Sequence, residues 1–150
     1  MSAALRFAVV YATLTASHEV ADHWVQINSQ AVVKGEPGWP GRLACASHVA
    51  TYTATQCFAL LAADRLLGLR LNPRRIAVAL VVSAGTHYWA DRSAGHWRDE
   101  TPHGVARLAA VTGHADWLKG DPNAGYRMDQ AWHKGFLWAA ALIAAGRETG

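Results

Sequence analysis

A chain of 150 residues suits a single domain, 1–150, long enough to bury a real core. Its residues are 51% hydrophobic and 17% charged, with seven Trp, a composition between a soluble helical protein and a small membrane protein. The net charge of +3 comes from 14 basic and 11 acidic residues with no dense basic run, so nucleic acid is not an expected partner.

The opening stretch "MSAALRFAVVYATLTAS" has the single Arg and short apolar run of a signal peptide, but its apolar periodicity continues past Ser17. It therefore reads as the start of helix 1, over 4–33. Gly and Pro in "KGEPGWPGR" (34–42) end that helix, and helix 2 follows over 42–67. "GLRLNPRR" (68–75) leads into helix 3 over 73–94, and "KGDPNAGYR" (119–127) precedes helix 4 over 127–147. Between helices 3 and 4, Thr101 as N-cap and Pro102 at the first helical position predict a short amphipathic helix. No stretch alternates as a strand would. Cys45 and Cys57 share helix 2, about 18 Å apart, beyond disulfide reach. The expected fold is all-α, a four-helix up-and-down bundle.

A spanning helix needs about 20 largely apolar residues. Segment 43–63 has no Asp, Glu, Lys or Arg and meets that requirement. Helix 1 is interrupted by Glu19 and Asp22, helix 3 by Asp91, and helix 4 by Asp129 and Lys134, so hydropathy alone leaves membrane insertion open.

Each long helix carries one polar pair at i,i+4, and such positions share a helix face. "ASHEVAD" holds His18 and Asp22, "ASHVATY" holds His48 and Tyr52, "GTHYWAD" holds His87 and Asp91, and "MDQAWH" holds Asp129 and His133. Up-and-down connectivity brings all of these to one end of the bundle. Burying three carboxylates and four imidazoles together costs several kcal/mol per charge unless something compensates. A cation removes that cost. His18, Asp22, His48, His87, Asp91, Asp129 and His133 are thus the candidate metal ligands, with Gln26 and Tyr52 as outer partners on the same faces. Mixed imidazole and carboxylate donors suit zinc, iron or manganese better than calcium or magnesium. Seven donors are too many for one tetrahedral ion and about right for two. His23, His96, His103 and His114 are left outside the site.

The series "HEVADHWVQ" with Lys34, then "HVATY", "THYWAD" and "MDQAWH", resembles the bacterial and phage integral-membrane family known as domain-of-unknown-function family 3307. The resemblance covers nearly the whole chain, although the polar loop 96–127 is longer than it leads one to expect. It carries over His18, Asp22, Gln26, Lys34, His48, His87, Asp91, Asp129, Gln130 and His133, adding Lys34 and the outer partner Gln130. It implies a multi-pass protein of the cell membrane in contact with lipid, and it brings no established activity. More weakly, His-x-x-x-Asp with a nearby Gln is similar to motifs of membrane-bound metal-dependent hydrolases. The chemistry this suggests is hydrolysis of a phosphoester, lipid phosphoesters included, with Asp22 and Asp91 as candidate catalytic carboxylates.

The short basic loop bearing Arg65, Arg70, Arg74 and Arg75 favours cytoplasmic termini, with the site at the outer face. Two other classes remain open: a haem-binding electron-transfer bundle, and a non-catalytic structural protein of a phage or mobile element with a buried polar network. Homo-oligomerisation is left open as well.

Overall fold

The computed structural model describes residues 1–146. Helices α1 (Ala3–Val20), α2 (Asn28–Val33), α3 (Gly38–Leu67), α4 (Pro73–Asp91), α5 (Gly104–Ala109), α6 (Ala115–Gly120) and α7 (Ala124–Ala145) follow in order, with no strand among the described residues. The four long helices pack as a ring in which α1 touches α3, α3 touches α4, α4 touches α7, and α7 closes on α1. The short α3–α4 connection makes that pair an antiparallel hairpin.

The expected first helix breaks in two. After α1 comes a π-helical turn, Ala21–Val25, and then Gln26 turns extended (φ −63°, ψ 125°). Ile27 caps α2, its backbone N–H donating to Gln30 Oε1 at 3.1 Å. Helix α3 starts four residues earlier than expected, since Pro40 falls in its first turn, where proline is tolerated. It stops at Gly68, whose φ of 60° glycine adopts without penalty. Cys45 and Cys57 are both free. Asn72 caps α4 by accepting from the Arg74 and Arg75 backbone, ahead of Pro73 at the first helical position.

Two short helices stand where one was expected. The N-cap of α5 is His103, not Thr101, because the buried Ser93 hydroxyl accepts from the Val105 and Ala106 N–H groups and donates to the His103 carbonyl. A kink at Thr112 and Gly113 (φ 95°) then separates α5 from α6. Helix α7 begins three residues before the expected start; position 147, its expected end, lies outside the described residues.

The bundle interior has two storeys. Val10, Leu14, Leu60, Ile76, Leu80 and Leu137 pack around small alanines of α7 in the apolar storey, which lies toward the α3–α4 loop. The other storey is polar. Among the described residues no helix is long and apolar enough to cross a membrane. Segment 43–63 falls short of the expected span because, though free of charge, it carries Ser47, His48, Thr51, Tyr52, Thr55 and Gln56.

Candidate metal centre

The polar storey gathers residues from all four long helices. His18 comes from the last turn of α1 and Asp22 from the π-helical turn that continues it. His48 lies in the first half of α3, His87 and Asp91 end α4, and Asp129 and His133 lie early in α7. His18, His48, His87, Asp91 and His133 are buried.

At the centre, four atoms converge. His48 Nε2 and His87 Nε2 are 3.0 Å apart. Asp22 Oδ1 lies 3.3 Å from the first and 3.5 Å from the second, and Asp91 Oδ2 lies 3.4 and 3.3 Å from them. Donor atoms sharing one four-coordinate ion at ordinary zinc bond lengths sit about 3.3–3.4 Å apart, so these spacings fit a shared cation. Asp22 Oδ1 and Asp91 Oδ2 are buried and have no hydrogen-bond partner. Three groups of ligand atoms lie within 4.8 Å of one another and could hold a metal ion: His18, Asp22 and His87; His48, His87 and Asp91; Asp91, Asp129 and His133. The groups are linked through His87 and Asp91, so the site is one continuous cluster. All seven sequence-predicted ligands belong to it.

Charge follows the same geometry. Asp91 Oδ1 accepts from Lys34 Nζ at 2.9 Å. Asp22, Asp91 and Asp129 face one ammonium, Lys34, so the carboxylates outnumber the fixed cation, an excess that a bound cation would offset.

Aromatic packing holds the rings. The His87 imidazole lies between the Tyr52 ring, 3.9 Å away at 24°, and the His133 ring, 4.2 Å away at 28°. Beneath them a fully buried cycle closes: Gln56 Nε2 donates to Tyr52 Oη (2.8 Å), the Tyr52 and Ser83 hydroxyls share a bond (2.9 Å), and Ser83 Oγ donates to Gln56 Oε1 (2.9 Å). Each member satisfies the next, so the floor of the site is rigid and self-contained. The imidazoles of His48 and His87 are in direct contact, with no gap between them.

The outer partners divide. Tyr52 shares the His48 face but meets the cluster by stacking on His87, its hydroxyl being taken up by Ser83 and Gln56. Gln130 Oε1 lies 3.5 Å from His18 Nε2, and Gln130 Nε2 donates to Asp129 Oδ2 at 3.4 Å. Gln26 does not continue the His18–Asp22 face, because the helix has ended there, and its buried Nε2 has no partner. His23 pairs with Glu19, four residues before it, at 3.6 Å on the surface, outside the cluster. His96 pairs with Asp99 at 2.8 Å, His103 caps α5, and His114 packs on Trp117, none of them in a metal-competent group.

Spacing alone pointed to neither Gln56 nor Ser83. The available signal was one more helical turn in each stripe: His48, Tyr52 and Gln56 fall at i, i+4 and i+8, as do Ser83, His87 and Asp91.

Compared with known proteins, the chain matches no family model, no curated protein and no solved structure.

Proposed function

We propose that this chain is a membrane-embedded metal-binding protein whose cluster hydrolyses phosphoesters. The observation that carries the reading is the convergence of His48 Nε2, His87 Nε2, Asp22 Oδ1 and Asp91 Oδ2, with both carboxylate oxygens lacking any other partner. A purely structural network would satisfy those oxygens. The donor set suits zinc, iron or manganese, one or two ions.

A divalent cation held there would supply Lewis acidity toward a phosphoryl oxygen and acidify a water. The protein's own groups divide the remaining work. Asp91, with only 2% of its side chain exposed, is fixed by Lys34 and serves as a ligand. Asp22, 10% exposed, is reachable from outside; its Oδ1 faces the ion site, and its second oxygen, Oδ2, takes the proton of the attacking water. His133 and Asp129, 3.3 Å apart at the more open edge, hold the α7 side of the cluster.

The membrane part rests on outward faces. Segments 43–63 of α3 and 76–90 of α4 contain no charged residue, α7 has none from Gly135 to Ala145, and Arg6 of α1 is buried. Leu5, Phe58, Val81 and Trp138 are exposed on these faces. Mean hydropathy counts the inward His, Gln and Ser residues, whereas lipid meets only the outward ones. Arg65, Arg70, Arg74 and Arg75 stand at the far end and favour the cytoplasmic side, leaving the metal end outward.

The test is turnover of bis(p-nitrophenyl) phosphate and of a phospholipid by detergent-purified protein loaded with zinc, manganese or iron. Metal-dependent turnover that Asp22→Asn abolishes is expected. Turnover absent with every metal, or unchanged in Asp22→Asn, overturns the hydrolytic reading. Recovery of the protein in the soluble fraction without detergent overturns the membrane reading.

A further inference from the structure

A cavity of about 380 Å³ opens next to the cluster, between the loop before α3 and the loop after α4. Gly35, Gly38 and Arg42 line one side, with Arg92, His96 and His103 on the other. The cavity lining and the cluster are joined through chain neighbours. Arg92 follows Asp91, Gly35 follows Lys34, and Lys34 Nζ donates to Asp91 Oδ1.

The charge of this cavity is not balanced from within. The Arg92 guanidinium donates to the backbone carbonyls of Lys34 and Glu36, which hold it in place without neutralising it. Arg42 is exposed and stacks on the Trp39 ring, its guanidinium carbon 5.8 Å from the ring centre. Neither arginine has an ion-pair partner among the described residues. The one carboxylate on the lining, Asp99, is engaged by His96 at 2.8 Å.

We propose that this cavity binds a phosphate group and is the subsite that presents a phosphoester to the metal cluster. Guanidinium groups match phosphate oxygens in shape and charge, and Gly38 leaves backbone instead of side chain on the opposite wall. The binding stands on the cavity alone, while its assignment to substrate rests on the hydrolytic reading above. The phosphate could belong to a lipid headgroup or to a soluble phosphoester, and the recognition chemistry is the same.

The experiment titrates the full chain in detergent with inorganic phosphate, and separately with mixed micelles of phosphatidic acid, while metal content is measured on the same samples. Arg42→Ala is expected to weaken phosphate binding about tenfold, the worth of one charge-assisted contact, with metal content unchanged. Asp99→Asn, which removes the rim carboxylate, is expected to tighten it several-fold, a gain that misfolding does not imitate. If the same two responses are larger for phosphatidic acid than for inorganic phosphate, the source is a lipid headgroup; equal responses point to a soluble phosphate. Affinity unmoved by both variants overturns the proposal. So does phosphate binding that disappears when His87→Ala empties the cluster of metal, because the anion then sits on the ions. Phosphate binding that persists in metal-loaded protein without turnover supports the subsite and counts against the hydrolytic reading alone.

Discussion

His48 and His87 aim their Nε2 atoms at each other across 3.0 Å, from two neighbouring helices, in a site with no water-sized gap between them. Two neutral imidazoles that meet in this way place lone pair against lone pair unless a proton or a cation lies between them. Asp22 Oδ1 and Asp91 Oδ2 approach the same two nitrogens within 3.5 Å and have no hydrogen-bond partner of their own. A divalent cation between them would take all four atoms as ligands.

Lys34 is the counter-charge already built into the cluster, so its removal should deepen the negative potential that holds a cation. In Lys34→Met, the chelator concentration that strips half of the metal should rise about tenfold relative to the unmodified protein. An unchanged or lower concentration would show that Lys34 does not act on the ions electrostatically.

The Tyr52–Gln56–Ser83 cycle has no spare member. Ser83→Ala leaves Tyr52 Oη and Gln56 Oε1 short of a partner in a fully buried position, at a cost of about 1–3 kcal/mol. Thermal unfolding should therefore fall by several degrees. An unfolding midpoint equal to that of the unmodified chain would mean the cycle is not holding the floor of the site.

Two glycines should respond in opposite directions to the same change. A Cβ at Gly35 would lie 1.9 Å from the Ala94 carbonyl oxygen, a backbone atom that cannot move aside cheaply. Gly35→Ala should cost more than about 2 kcal/mol and loosen the Lys34–Asp91 contact beside it. Gly135, inside α7, has nothing within 4 Å of its Cβ position, so Gly135→Ala should stabilise by up to about 1 kcal/mol through helix propensity. Urea unfolding of both variants checks the pair. Equal shifts of the same sign would contradict the loop contact.

The all-α character and the clustering of these His and Asp residues were legible because i,i+4 spacing is a property of the helix itself. His18 with Asp22, His87 with Asp91 and Asp129 with His133 needed only a helical backbone to share a face, and the ring of four helices brought those faces together. Gln26 was misplaced by the same logic, since it assumed a continuous helix where a π-helical turn and an extended residue intervene. Such a break depends on tertiary demands that local propensity does not record. Thr101 and Pro102 carry a valid start signal, yet α5 begins later because Ser93, eight or more residues upstream, supplies the cap from another element. Lys34 is invisible to periodicity, as its contact with Asp91 spans 57 positions. Averaged hydropathy does not separate the faces of 43–63 either: His48, Tyr52 and Gln56 are buried while Ser47 and Thr51 are exposed, a division visible only once the helices are packed.

The most direct measurement is the transition-metal content, by elemental analysis, of the detergent-purified chain and of His87→Ala, each supplied with zinc, manganese and iron and then freed of excess. About one ion per chain or more is expected in the unmodified protein, with most of it lost in the variant, whose helical circular dichroism is retained. An unmodified protein that retains no metal, or a folded His87→Ala that retains as much, would contradict this expectation.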